Sequence, residues 1–214
     1  MQFSVLQTRT LKKLGESTTA PKKWSLAEIK DYLNEGYNDL VLVTGILETS
    51  GTLSTVANQY IYSLASDCLE VIRMFYETAD RIIKPITFEK LTKKHRWFNH
   101  KTTAYPLLYA NISTNKVFLY PKVTSSESSC ITYWYKQIQT DMSDDTDTPD
   151  GPDVFHETMI LFACHQALLK ERNTSGQRKC LEYLAEYEEK KSWLEHHTHI
   201  RGGRKLFYRK SIGD

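Results

Sequence analysis

The sequence is poor in the residues and motifs that build catalytic or cofactor sites. It contains 9 glycines, and none of them clusters after a strand pattern as a phosphate-binding loop would require. The nucleotide-binding glycine fingerprints and the nucleophile elbow of hydrolases are absent. His156-Glu157 has no second histidine at the spacing of zinc proteases, and no paired carboxylates are placed for acid–base catalysis. We therefore expect a protein that is not an enzyme, with no catalytic residues and no cofactor.

Long apolar runs and a strong charge of either sign are also missing. No run approaches the roughly 20 apolar residues that span a bilayer. The N-terminal residues lack the apolar core of a signal peptide, so we expect neither a membrane partner nor secretion by that route. The 28 Lys and Arg residues nearly balance the 26 Asp and Glu residues, and a net charge of +2 gives no general attraction to nucleic acid. The 40% of hydrophobic residues excludes wholesale disorder.

Metal and redox sites have little support in the sequence. The four cysteines form no C-x-x-C pair, so we expect small buried residues in a reducing compartment. They are Cys68, Cys130, Cys164 and Cys180. The histidines of the run 196–199 are typical of an exposed helix end, where histidine suits the helix dipole. The aspartates near Asp145 do not fit a calcium loop, because Asp150 stands where glycine is needed. We expect no bound metal.

Two helices are predicted in the N-terminal part. Residues 2–14 form a weakly amphipathic pattern that Gly15 ends. Ser25 and Glu28 have the spacing of a capping box, which satisfies two backbone N–H groups at the start of a helix. The apolar stripe that follows ends near Thr44-Gly45, where glycine can adopt the left-handed cap conformation.

Two further helices are predicted in the C-terminal part, joined by a turn at 173–176. Asp153 is expected to cap the first one, whose apolar stripe is Val154, Thr158, Leu161, Phe162, His165 and Leu169. The second is expected to run to about His196, with Glu186 and Lys190 as an ion pair. Its expected inner face is Leu181, Leu184 and Leu194. A short turn makes the two helices an antiparallel hairpin.

The middle of the chain has the residue composition typical of a β-sheet. Between residues 51 and 138, β-branched and aromatic residues are frequent and helical periodicity is weak, apart from one or two helical turns at 88–95. Strands are predicted at 52–64 (or a loose hairpin there), 69–77, 81–87, 107–112, 116–120 and 131–138. Tight turns between short strands favour a small antiparallel sheet or sandwich. The segment 139–153 holds six Asp and no Lys or Arg, which indicates a solvated linker.

These elements predict an α+β fold: a helical bundle with an inserted small antiparallel β-sheet or sandwich lobe and an extended C-terminal tail. The expected divisions are 1–48 with 153–197 for the bundle, 49–138 for the β lobe, 139–152 for the acidic linker and 198–214 for a docking tail. We expect the helix that begins at Ser25 to pack against the two late helices, with the β lobe projecting from the bundle.

Two segments are candidates for binding a partner. The tail 201–214 carries five basic residues against one acid, beside three adjacent apolar side chains that suit docking. Its candidate contact residues are Arg201, Arg204, Lys205, Leu206, Phe207, Tyr208, Arg209 and Lys210. The segment 81–101 has seven basic residues and one acid, with aromatic residues interleaved as in nucleic-acid interfaces. The candidate patch for DNA or a protein partner there is Lys90, Lys93, Lys94, Arg96, Trp97 and Lys101.

The order of these patterns resembles the head–tail connector (adaptor) proteins of tailed bacteriophages, a group that includes tail tubular protein A of short-tailed phages. The resemblance covers nearly the whole chain. It is carried by Trp24-Ser25-Leu26-Ala27-Glu28, 62–71, Tyr105-Pro106-Leu107-Leu108-Tyr109, Val117-Phe118-Leu119-Tyr120-Pro121, 131–135 and Pro152-Asp153-Val154-Phe155-His156. This sequence departs from that pattern at Ala65 and Lys122, where the family commonly has proline.

The resemblance implies a structural virion protein of the neck, assembled in the host cytoplasm. Such adaptors form a ring, typically twelvefold, that joins the portal protein to a tail or nozzle protein and extends the channel for genomic DNA. It also implies that the C-terminal segment reaches onto the portal. Two alternatives stay open: a nucleic-acid-binding module that uses 81–101, and another neck component such as a stopper.

Overall fold

The computed structural model describes residues 1–20, 23–94, 102–171 and 174–201, with backbone alone for 94 and 198–201. It divides into two compact units. One unit combines Met1–Ile46 with Gln139–Asp214, and the other is Leu47–Ile138. The helices of the described residues are α1 Phe3–Leu14, α2 Leu26–Thr44, α3 Phe88–Lys94, α4 Asp153–Leu168 and α5 Thr174–Arg201. All of them except α3 belong to the first unit, so the chain is a mixed α+β protein.

The ends of α1 and α2 lie where the sequence predicts them. Gly15 ends α1 with a positive φ of 75°, a conformation that favours glycine because it has no Cβ. Ser25 accepts a hydrogen bond from the backbone N–H of Glu28, and the Glu28 carboxylate accepts one from the Ser25 N–H. This reciprocal pair is the predicted capping box. Gly45 ends α2 with a φ of 56°, which confirms the predicted boundary.

The helix α4 is buried on most of its circumference, and its predicted single stripe is only partly right. Thr158 and Leu161 of that stripe are buried, but Val154 and Leu169 are exposed, and Phe155 on another face is buried. The N-cap is Pro152 rather than Asp153, and no side chain caps this end. A helix that packs on several neighbours needs apolar residues all round, so one stripe does not describe it.

The buried face of α5 repeats every seven residues. Among the described side chains of α5, it includes Cys180, Tyr187 and Leu194, each at most 5% exposed. Leu181 is 66% exposed, so the prediction that it faces inward is wrong. The predicted turn at 173–176 is also wrong, because α5 already begins at Thr174. The predicted ion pair between Lys190 and Glu186 is present at 3.2 Å.

Polar and aromatic contacts fix the helices of this unit to one another. The indole N–H of Trp24 donates to the carbonyl of Ala167 at 2.9 Å, which ties the start of α2 to the end of α4. Phe162 of α4 packs edge-on against Tyr187 of α5, with ring centroids 5.2 Å apart. Asp39 of α2 accepts hydrogen bonds from the Tyr187 hydroxyl and from Lys191, so α2 also contacts α5. Burial and this hydrogen bond raise the pKa of Tyr187.

The acidic segment 139–152 is held to the helical unit at a few points, while its aspartates are exposed or half-buried, as the expected solvation requires. Asn34 of α2 exchanges two hydrogen bonds of 3.0 Å with the backbone of Met142, whose side chain is buried. The Tyr37 hydroxyl donates to the carbonyl of Asp150 at 3.1 Å and accepts from its N–H at 2.8 Å. Lys30 forms an ion pair of 2.9 Å with Asp145, which lowers the pKa of that carboxyl.

The second unit is built around a seven-stranded sheet. Its strands in spatial order are β1 Glu48–Thr55, β9 Glu127–Gln137, β3 Cys68–Tyr76, β4 Arg81–Pro85, β6 Leu108–Ser113, β7 Lys116–Tyr120 and β2 Ile61–Ser63. A separate pair consists of β5 Thr102–Thr103 and β8 Lys122–Val123. The pair β4–β6 and the pair β5–β8 are parallel, so the expectation of a wholly antiparallel sheet is wrong. The segment 52–64 is not a hairpin, because β1 pairs with β9 whereas β2 pairs with β7.

Tyrosines account for much of the polar bonding in the core of this unit. The hydroxyl of Tyr133 accepts a hydrogen bond from the backbone N–H of Ala65 at 3.1 Å, and Tyr135 donates to Asp67 at 3.1 Å. Burial raises the pKa of Tyr135 to about 12, since the neutral phenol is the form that a buried site favours. No buried side-chain nitrogen or oxygen lacks a hydrogen-bond partner in the described residues. The aromatic excess of the sequence thus supplies both apolar area and satisfied polar ends.

Candidate interaction surfaces

The structure describes part of the basic segment 81–101. The short helix α3 is anchored by Leu91, which is fully buried, and by Phe88, whose ring meets Phe118 edge-on at 5.6 Å. This leaves Lys90 and Lys93 exposed, with Lys93 paired to Glu89 one turn earlier. Of Lys94 only the backbone is described, and Arg96, Trp97 and Lys101 lie outside the described residues. The assignment of this patch to DNA or a protein partner therefore stays a prediction.

Several cations of the β unit lie over aromatic rings of the same unit. Arg81 lies 5.1 Å from the ring centroid of Tyr105, and Lys122 lies 4.4 Å from that of Tyr60. The ring of Tyr60 stacks in turn on Phe118, with centroids 4.8 Å apart and planes 11° from parallel. Such contacts stabilise a protein by about 0.5–1 kcal/mol when they are exposed. Part of the positive charge of this region therefore has a structural role within the unit.

The helix that leads into the predicted docking tail is described, but the tail itself is not. The backbone of α5 continues to Arg201. The candidates Arg204, Lys205, Leu206, Phe207, Tyr208, Arg209 and Lys210 lie outside the described residues. Near the end of α5, the half-exposed Trp193 stacks on His197 with centroids 3.9 Å apart. The role of the tail in partner binding therefore stays a prediction.

The titratable groups of the described residues show no convergent metal or nucleophile cluster. No group of three His, Cys, Asp or Glu side chains within the described ranges could hold a metal ion. His197 directs Nδ1 at the carbonyl of Trp193, 2.8 Å away, and the side chain of His199 is not described. The four cysteines are buried and unpaired, as predicted. Burial raises the pKa of Cys68 to about 11 and that of Cys164 to about 12, so these thiols stay protonated and poorly nucleophilic.

The outer face of α1 is basic. Arg9, Lys12 and Lys13 are exposed, and α1 contains no acidic residue. These three side chains line a groove of about 240 Å³ together with Glu157 and Ile160 of α4. Lys13 also lies 5.8 Å from the ring centroid of Tyr183. We call this surface the α1 face.

The outer face of α2 is acidic. Asp31 and Glu35 lie one turn apart and are exposed, while Leu33 and Gly36 on the other side of the helix are buried. Leu42, two turns further along, is 54% exposed. We call Asp31, Glu35 and Leu42 the α2 face. Neither face is evident from the total charge of the sequence, although the charge of each helix counted separately indicates both.

In the described part of the chain, no helix is both long and apolar enough to cross a membrane. Charged outer faces on α1 and α2 and cations stacked on aromatic rings are features typical of a structural protein that binds partners through its surface. A family model identifies the particular kind. The model of the SU10 adaptor protein matches residues 1–196, and the chain therefore belongs to this family of phage adaptors. A comparison with curated proteins gives no match.

Membership in the family makes the chain a structural component of a phage virion, which interacts with other head and tail components. The match covers both units and stops within α5, short of residues 202–214. This agrees with the resemblance to head–tail adaptors in the sequence. The narrower comparison with tail tubular protein A stays a prediction.

Proposed function

We propose that this protein forms a ring between the portal protein and a tail or nozzle protein, and that the ring extends the channel for genomic DNA. The observation that carries this proposal is the adaptor family match over residues 1–196. We expect the ring to be twelvefold and contacts with DNA to be non-specific, through charge rather than base reading. The protein needs no cofactor in this role.

The oppositely charged faces of the helical unit support the proposal. A protein that repeats around a ring has to present two complementary surfaces, since every copy contacts two neighbours. The β unit, Leu47–Ile138, has its own buried core and is a separate compact unit. We infer that it works as a domain distinct from the helical one and contacts another component of the neck.

We assign portal binding to the tail from Arg201 onward. Arginine and large aromatic residues dominate the binding energy of interfaces, and Arg204, Phe207 and Tyr208 supply both types within five residues. In the sequence, Gly202 and Gly203 stand between these residues and Arg201. An acidic groove on the portal is the complementary surface that we expect.

Truncation before Arg201 tests this assignment. The shortened chain retains every residue that the family model matches, so it should fold and unfold as the full chain does. Binding to purified portal should be lost, as measured by co-sedimentation. The double variant Phe207→Ala/Tyr208→Ala should weaken binding by about 2–4 kcal/mol if the two rings are hot spots.

The matched control is Ser211→Ala, a change in the same segment that removes neither charge nor aromatic surface. It should bind the portal as the unaltered chain does. Unchanged affinity of the truncated protein would show that the tail is not the portal contact. A truncated protein that fails to fold would be recognised by circular dichroism, and the double variant then decides the question.

A further inference from the structure

We propose that neighbouring copies of this chain meet through the α1 face of one copy and the α2 face of the next. The inference rests on the proposed ring and names the surfaces that build it. Both faces belong to the helical unit. The α1 face exposes three cations beside one acid, Glu157, which pairs with Lys190 at 3.6 Å, and the α2 face exposes two acids beside Leu42.

The cations of the α1 face, Arg9 and Lys12 among them, form no ion pair within the described ranges, although other cations of the unit do. Lys30 pairs with Asp145 at 2.9 Å and Lys191 with Asp39 at 2.6 Å. Three like charges on one short helix repel one another, so an acidic partner would relieve a cost that the isolated chain retains.

The acids of the α2 face are unpaired in the same way. Asp31 and Glu35 make no ion pair with any described residue, whereas the other two acids of α2 do: Glu28 pairs with Lys170, and Asp39 pairs with Lys191. Leu42 adds exposed apolar area to this face. An acidic surface with an exposed leucine matches a groove whose three cations outnumber its one acid, Glu157.

A contact between unlike faces suits a repeating assembly. When the α1 face of one copy covers the α2 face of a second, the first copy keeps its own α2 face for a third. Head-to-tail contacts of this kind generate a closed ring when the rotation between copies closes. Complementary charge also fixes which surfaces meet, because like faces brought together would repel.

Charge reversal of each face tests the proposal with the full-length chain. The variants are Arg9→Glu/Lys12→Glu on the α1 face and Asp31→Lys/Glu35→Lys on the α2 face. Sedimentation velocity at low salt, with and without portal protein, gives the oligomeric state. Each double variant should lose self-association by at least about tenfold, because each brings like charges together.

Recovery of assembly when the two reversed faces are combined is the result that only a specific contact explains. An equimolar mixture of the two double variants should assemble again, since copies can alternate with every contact complementary. The quadruple variant, with both faces reversed, should assemble on its own. The matched control reverses two exposed lysines of the β unit, Lys84→Glu/Lys116→Glu, and should assemble as the unaltered chain does.

The outcomes separate this inference from the proposed function. If the unaltered chain assembles and the double variants do so equally well, the ring stands and this contact is wrong. If the unaltered chain stays monomeric with and without the portal, the ring itself fails and the contact with it. If the α1 variant self-associates normally but loses binding to duplex DNA or to the portal, the α1 face serves that partner and the proposal is overturned. Circular dichroism of each variant verifies folding.

Discussion

The packing of α2 on α4 makes Gly36 sensitive to a single methyl group. A Cβ placed there would lie 2.9 Å from Cδ1 of Phe162, 3.0 Å from its Cβ and 3.1 Å from its Cγ. The ring atoms can move by side-chain rotation. The Cβ of Phe162 cannot, because it is fixed to the backbone of α4. Replacement of Gly36 by alanine therefore has to separate the two helices locally.

Two opposing effects decide whether Gly36→Ala raises or lowers the free energy of unfolding. Alanine is favoured over glycine inside a helix by about 0.8–1 kcal/mol. Overpacking of a close-fitting contact costs about 1–3 kcal/mol. We expect the upper end here, because the Cβ of Phe162 cannot move without the backbone of α4. We expect the free energy of unfolding to fall by about 1–2 kcal/mol, which corresponds to a lower Tm by about 2–8 °C in a chain of this size.

A double-mutant cycle measured by chemical denaturation provides the assay. In the Phe162→Ala background the contact is relieved, so Gly36→Ala should there stabilise the protein by up to about 1 kcal/mol. Glu189→Ala, at an exposed position inside α5, is the control and should change stability by less than about 0.5 kcal/mol. A stabilising Gly36→Ala in the otherwise unaltered chain would refute the reasoning, since helix propensity alone would then explain the result.

Two further predictions concern the docked acidic segment and the buried phenols. Tyr37→Phe removes both hydrogen bonds to the backbone of Asp150. It should lower the free energy of unfolding by about 1–3 kcal/mol in denaturant titrations and speed proteolysis within 139–152. Unchanged stability would show that other contacts hold the segment. Burial raises the pKa of Tyr37 to about 12 from an ordinary value near 10. Stability from this group should be complete below pH 10 and fall by about 2–3 kcal/mol as the pH rises towards 12, and Tyr37→Phe should remove that part of the pH dependence.

Local chemistry in the sequence predicted the N-terminal helices well. Ser25, Glu28 and Gly45 act through contacts within four residues, so their positions alone carry the information. The error in α4 has the opposite origin. Its residues meet several neighbours, and burial on most of its circumference removes the single stripe that periodicity detects.

Strand positions were easier to predict than strand pairing. The hairpin of β6 and β7 joins neighbouring segments, and the Ser113-Thr114-Asn115 turn marks it in the sequence. The partners β1 and β9 are separated by more than seventy residues, and nothing local in either strand identifies the other. The parallel pairing of β4 with β6 likewise depends on the path of the chain between them.

The candidate binding residues show a similar division. Composition identified the basic segments, yet it could not show that Arg81 lies over Tyr105 or that Lys93 pairs with Glu89. Composition correctly indicated that the aspartates of 139–153 are mostly exposed. It could not show that hydrogen bonds from Tyr37 and Asn34, far away in the sequence, hold the backbone of that segment.

The contacts that hold the acidic segment 139–152 determine which charged side chains are left unpaired and able to bind a partner. Asp145 is bound by Lys30 and by Gln7, so it is not available to balance the cations on the outer side of α1. Arg9 therefore stays uncompensated within the described structure, and so does Asp31 on α2. Exposed charges interact over about 10 Å at 0.1 M salt and over about 3 Å at 1 M. Assembly through these faces should therefore weaken as the salt concentration rises. The apolar contact of Gly36 with Phe162 should not weaken, so salt should affect association of the copies and this packing contact differently.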